Sequence, residues 1–122
     1  MSRHVDCIFC KIISHAIPSS RVFENEEYIG IRDIYPQAKS HFLIIPKVHF
    51  ESLESVYGLM AEPEATLFVG KLFQAGRAMA LAEKLLPGGY RAVINTGKNG
   101  GQTVFHLHLH VLGGEVLNGR FG

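Results

Sequence analysis

Two periodicities divide this chain into elements. The clearest is strict alternation in His106-Leu107-His108-Leu109-His110-Val111, which predicts a half-buried strand over residues 103–112 with the three histidines on one face. A helix fits worse, because it would keep His106 and His110 together but turn His108 among the leucines. Segments 21–24 and 28–32 read as two further strands of a hairpin about the polar turn Asn25-Glu26-Glu27. Residues 41–46 form an apolar, central strand that Pro46 closes, and residues 90–95 another strand. Helical spacing appears in Ile8, Phe9, Ile12 and Ile13, with Asp6 as the expected cap, and ends at Ala16-Ile17-Pro18. It returns in Leu53, Val56, Tyr57 and Met60. A fresh helix starts at Glu62-Pro63-Glu64, where proline fits the first turn and acids suit the dipole. That helix is expected to run to about Leu86, with Leu67, Phe68, Leu72, Phe73, Ala75, Met79, Ala82, Leu85 and Leu86 as core, until Pro87-Gly88-Gly89 stops it.

Strands, then helix, then strands is not the alternating order of a doubly wound sheet. It predicts an α+β fold, an antiparallel five-stranded sheet with helices packed on one face. The 122 residues suit one domain spanning 1–122, with loose or interface tails at 1–5 and 116–122. Twelve basic and eleven acidic residues leave a net charge of +1, so no broad surface for nucleic acid or anionic membrane is expected. No apolar run reaches membrane-spanning length and the first residues lack a signal-peptide core, so the expected location is the cytoplasm. Two cysteines, Cys7 and Cys10, are too few for a disulfide scaffold; inside a cell the spacing reads as metal-binding, redox-active or simply buried.

The chemistry concentrates at the histidine stretch and the loop before it. Imidazole can serve as nucleophile, proton donor or metal ligand. Histidine-x-histidine on a strand also holds zinc in many proteins, so a metal-dependent hydrolase is one reading, although no carboxylate stands in or beside the strand. Asn95-Thr96-Gly97-Lys98-Asn99-Gly100-Gly101-Gln102-Thr103 offers glycines, an amide and a hydroxyl to a phosphate, though such loops are often only turns. Asp33, entering a loop from a strand, can accept both hydroxyls of a ribose or act as a solvated cap. His4, His15 and His41 carry no assigned role and read as surface or strand-end residues.

The motif His106-Leu-His108-Leu-His110-Val-Leu resembles the histidine triad that names the HIT superfamily. Ile8-Phe9, Lys11-Ile12-Ile13, Ile17-Pro18, Asp33-Ile34, Pro36-Gln37-Ala38, His41-Phe42, Ile45-Pro46-Lys47, Gly100-Gly101-Gln102 and Gly113-Gly114 resemble its Hint branch. The resemblance implies a homodimer in which two antiparallel sheets join. It also implies a purine nucleoside phosphoramidase that releases AMP from P–N bonds, aminoacyl adenylates being further substrates. By the same resemblance His108 is the nucleophile and His110 serves the leaving nitrogen and phosphoryl oxygens, with His106 and His49 as hydrogen-bonded support. Asn95, Gly101, Gln102, Thr103 and Val104 fall on the phosphate side, and Asp33 on the ribose. Ile8, Phe9, Ile12, Ile31 and Ile34 surround the base. Catalysis then needs no cofactor; a family named for nucleotide binding equally implies, as the alternative, a non-catalytic nucleotide-binding adaptor. Thr103 stands where serine is frequent, which keeps a hydroxyl. Cys7 and Cys10 resemble half of a structural zinc site found in some bacterial members, which His49 and His106 complete.

Overall fold

A computed structural model describes residues 6–119; the expected loose segments 1–5 and, from the C-terminal tail, 120–122 lie outside them. The order is α1 (Ile8–Ile13), β1 (Arg21–Glu24), β2 (Tyr28–Arg32), β3 (Ser40–Pro46), α2 (Leu53–Leu59), α3 (Glu62–Ala82), β4 (Tyr90–Val93) and β5 (Leu109–Gly113). The five strands form one antiparallel sheet in the order β1-β2-β3-β5-β4. The fold is the expected α+β. Among the described residues, no helix is long and apolar enough to cross a membrane.

Strand β3 is buried along its whole length because both faces of the sheet are covered. Alternation divides its side chains. Phe42 and Ile44 join Leu109, Val111 and Tyr28 in one core with α2 and α3, through Val56, Leu72, Ala75, Met79 and Ala80. Leu43 and Ile45 join Ile29 and Ile31 in a second core, against Phe9, Ile12 and Ile13 of α1. So α2 and α3 share one face, whereas the short α1, expected on that same face, packs on the other, where its apolar stripe covers the second set of alternating strand residues. Truncating a fully buried residue such as Ile44 to alanine costs about 2–5 kcal/mol in cores of this kind.

Several boundaries differ from the periodicity. Cys7, not Asp6, caps α1, its Sγ accepting from the Cys10 amide at 3.4 Å. Helix α3 ends at Ala82, because Lys84 turns left-handed at φ 61° and the Leu85 amide reaches back to the Ala80 carbonyl. Of its expected core positions, Leu67, Phe73, Ala82 and Leu86 are exposed. Most consequential, the histidine strand begins only at Leu109. β3 ends its pairing with Ile44 opposite Leu109, and β4 with Val93 opposite His110, so residues 103–108 have no ladder partner. His106 and Leu107 keep the alternation by other means. The Leu107 amide donates to Phe50 O at 2.7 Å, and Leu107 stays in the α3-side core while His106 turns away from it.

Candidate active site

At the end of β5 a cavity of about 500 Å³ opens on the α1 side of the sheet. Its apolar wall comes from Ile8, Phe9 and Ile12 of α1 with Ile31 and Leu43 of the sheet; the exposed Ile34 stands at its margin. Its polar end brings together Asp33, Asn95, Thr103, His108 and His110, with Val104 beside them. These residues are far apart in sequence, and the sheet gathers them at one edge. Gly101, Gln102, His106 and His49 are not among its lining.

The glycine loop does something other than expected. The amides of Gly100, Gly101 and Gln102 donate to carbonyls of Lys98 and Gly97, closing the loop on itself. Buried Gln102 pins it: its Oε1 accepts from the Gly97 amide at 2.8 Å, and its Nε2 donates to Glu51 O and Val104 O at 2.6 and 3.1 Å. Gly101 supplies the left-handed turn at φ +80°. The loop therefore gives shape, while the Asn95 amide and Thr103 hydroxyl give polar groups to the cavity.

Hydrogen bonds fix which nitrogen of each histidine carries its proton. A carbonyl can only accept, so His108 Nδ1, 2.7 Å from His106 O, must hold the proton and Nε2 keeps a lone pair. Burial depresses the His108 pKa, against the opposing pull of the His106 carbonyl and the Asp33 carboxylate. The ring is thus neutral and basic at Nε2 near pH 7. The Phe9 ring packs edge-on against it at 5.1 Å.

The same logic exposes a residue that periodicity missed. His41 is buried, and its Nδ1 accepts from the Gln37 amide at 3.0 Å, which puts its proton on Nε2. That Nε2–H points to His110 Nδ1 at 3.0 Å and lies 3.3 Å from Asp33 Oδ2. His110 Nδ1 must therefore accept, and its own proton sits on Nε2. Burial, then the neighbouring His108 and His41 rings, push the His110 pKa down to about 4, with Asp33 opposing. Burial likewise lowers His41. Asp33 is held by the Tyr35 amide at 2.8 Å through its other oxygen. In the sequence His41 stood out only as part of the His41-Phe42 pair of the family resemblance; the sheet sets it opposite Leu112 and two residues from Leu43, which faces His110.

Farther along the same face, around His106, lies a second cluster. Cys7 Sγ is 3.2 Å from His106 Nδ1, and Cys10 Sγ is 3.3 Å from His49 Nδ1 and 3.6 Å from His106 Nδ1. A tetrahedral zinc with ordinary bond lengths separates its nitrogen and sulfur ligands by about 3.5 Å, so these four donors fit the ion. His106 Nε2 donates to Pro46 O at 2.8 Å, which leaves Nδ1 unprotonated, as a metal ligand must be, and fixes the ring. Burial raises the Cys7 thiol, so a bound cation is what would supply the thiolate. Asp33, His41 and His110 also converge within 4.8 Å. That set does not fit a cation in this arrangement, because the facing Nε2 of His41 carries a proton.

A family model described as scavenger mRNA decapping enzyme C-term binding matches residues 6–119. Protein HitA of Neisseria gonorrhoeae is 45% identical over 111 residues, which cover 91% of this chain and 98% of that protein. Among solved structures, a HIT family hydrolase from Legionella pneumophila Philadelphia 1 superposes with a TM-score of 0.82 at 39% identity, covering 93% and 97% of the two chains. A zinc-bound histidine triad family protein from Mycobacterium smegmatis does so with a TM-score of 0.77 at 37% identity, covering 94% of this chain and 81% of that one. Sequence, fold and the framework that carries His106, His108 and His110 agree, and the chain belongs to the histidine triad (HIT) family.

Proposed function

We propose that the protein is a nucleotide-binding hydrolase that cleaves the P–N bond of purine nucleoside 5′-phosphoramidates through a nucleotidyl-histidine intermediate. The observation that carries this reading is the His108 hydrogen bond to His106 O at 2.7 Å, which leaves a neutral Nε2 lone pair on a cavity-lining ring. His108 Nε2 attacks the α-phosphorus as the P–N bond breaks, and the amine leaves with the bonding pair and takes up a proton. Water then forms a new P–O bond, the Nε2–P bond breaks, and AMP departs. One hard displacement becomes two easier ones, with net retention at phosphorus. His110, protonated at Nε2, donates to the phosphoryl oxygens and the leaving nitrogen. A bound phosphoryl anion opposes the effects that depress the His110 pKa, so substrate itself favours a proton there.

Asp33 takes the ribose hydroxyls, Asn95, Thr103 and Val104 the phosphate side, and Ile8, Phe9, Ile12, Ile31 and Ile34 the base. Gly101 and Gln102 act by shaping the loop. Aminoacyl adenylates, which present the same α-phosphorus, are further substrates. The cysteine–histidine cluster takes a structural zinc and catalysis needs no metal. A homodimer joins two sheets at β4: beside that edge strand a groove of about 480 Å³ is lined by Leu67, Gly70, Phe73, Tyr90 and Ala92, including the apolar side of α3 left exposed. The hydrolase neighbour and the zinc-bound neighbour support the corresponding parts of this reading.

The test is AMP release from adenosine 5′-phosphoramidate or AMP-lysine, by wild type and His108→Ala, with and without a chelator. Turnover by wild type in chelator and none by the folded variant are expected. Comparable release by both would remove the nucleophile; loss of wild-type turnover on chelation would point to a metal-dependent hydrolase. Affinity for AMP without turnover would leave a binding adaptor.

A further inference from the structure

Helix α1 faces two ways. It is six residues long, well short of the length at which helices hold on their own in water. Its successive side chains are shared between two sites. Cys7 and Cys10 approach His49 and His106, while Ile8, Phe9 and Ile12 form the apolar wall of the cavity. Phe9 stands between the cysteines in sequence, and its ring lies against both His106 at 5.8 Å and His108 at 5.1 Å.

The two halves of the cluster also differ in how they are held. His106 is fully buried and tied to Pro46 O at the end of β3, and its ring stacks edge-on with His49 at 4.7 Å. The cysteine half belongs to α1, whose N-cap is the sulfur of Cys7. A cation across the four donors would therefore join α1 to the sheet beside the cavity.

We propose that Cys7 and Cys10 are positioning residues for nucleotide binding: a divalent transition metal on Cys7, Cys10, His49 and His106 docks α1, and docked α1 presents Phe9 and its neighbours to the base. This rests on the nucleotide-site reading above. Metal and nucleotide then both select the same docked arrangement, and each must tighten the other by the same factor. Coupling of this sort is commonly about 5–150-fold. The effect falls on affinity and KM, because the His108 tautomer is set by a backbone carbonyl rather than by the metal.

Two titrations test it. AMP binding is measured calorimetrically on zinc-loaded protein and on protein stripped by a chelator. Zinc affinity is measured by competition with a chromophoric chelator, with and without saturating AMP. About tenfold tighter AMP binding to the loaded form is expected, with an equal tightening of zinc by AMP. Cys7→Ser and Cys10→Ser should bind AMP as the stripped wild type does and ignore added zinc; if either fails to fold, the stripped wild type carries the comparison. Equal AMP affinity in loaded and stripped protein overturns the proposal, as does failure to bind zinc. Loss of the whole far-UV signal on stripping also overturns it, since the metal would then hold the fold rather than α1. Turnover of AMP-lysine with metal-independent AMP affinity removes the coupling and keeps the phosphoramidase; coupling without turnover does the reverse.

Discussion

The histidine stretch ends in two clusters that use imidazole in opposite ways. At His106 the ring gives its Nε2 proton to the Pro46 carbonyl and turns a bare Nδ1 toward two sulfurs, in a fully buried place. At His110 the bare Nδ1 is taken by the Nε2–H of His41, and the proton is left on Nε2 of a ring that lines the cavity. Four residues apart, one ring is arranged to ligate and the other to donate. Between them His108 gives its proton to the backbone of the first and meets the ring of the second at 4.9 Å. Histidine count and spacing do not assign these roles; the hydrogen-bond partner of the second nitrogen does.

The largest break in this comparison comes at its middle. His108→Ala should lower turnover of AMP-lysine by about 10⁴-fold or more, with circular dichroism unchanged, as loss of a nucleophile does elsewhere. His41→Phe should come next. It frees His110 to change tautomer and should cost about 10²-fold in kcat, near the value of one oriented donor. The imidazole ¹⁵N shifts of His110 should show a proton on Nε2 in wild type and mixed tautomers in the variant; an unchanged pattern would remove His41 from the relay.

His106→Ala probes the opposite end. It leaves a buried carbonyl and the thiols without that ring, and should lower stability by about 1–3 kcal/mol from the lost polar contacts alone, read as a falling denaturant midpoint. A pH series sharpens the contrast further. Burial holds His108 below its ordinary 6.5, so kcat/KM should persist as pH falls through 6.5 and decline only below it. Stability follows the same sign. His110 has a folded pKa of about 4 against 6.5 unfolded, so the unfolded chain binds more protons between them and stability drops as pH falls through that window. Smallest of all is the expected effect of chelation on kcat at saturating AMP-lysine, which should be nil if the His106 cluster serves binding alone.

Much of this was legible in the sequence because alternation reports burial directly. Leu107, Leu109 and Val111 went to one core and the histidines to the other side, as period two demands. Strand content was less legible, since a ladder needs partners: His106, Leu107 and His108 alternate with no ladder partner. The second face of the sheet was hidden for a similar reason. Ile8, Phe9, Ile12 and Ile13 announce an amphipathic helix but not which side of the sheet it covers. The role of His41 was invisible, because a single histidine in an apolar strand has no pattern of its own and gains meaning only from Asp33 and His110 across space. The glycine loop misled in a specific way: its amides look available for phosphate until Gln102 is seen to fold them inward.

Everything in the proposed reaction turns on His108 Nε2 bonding to phosphorus. Rapid mixing with adenosine 5′-phosphoramidate, quenching in alkaline denaturant and peptide mass spectrometry tests it directly. A transient adenylyl group is expected on the peptide of His108, mapped to that residue and absent from His108→Ala. A nucleotide mapped to His106 or His110, or full turnover by wild type with no histidine modified at any time, would contradict it.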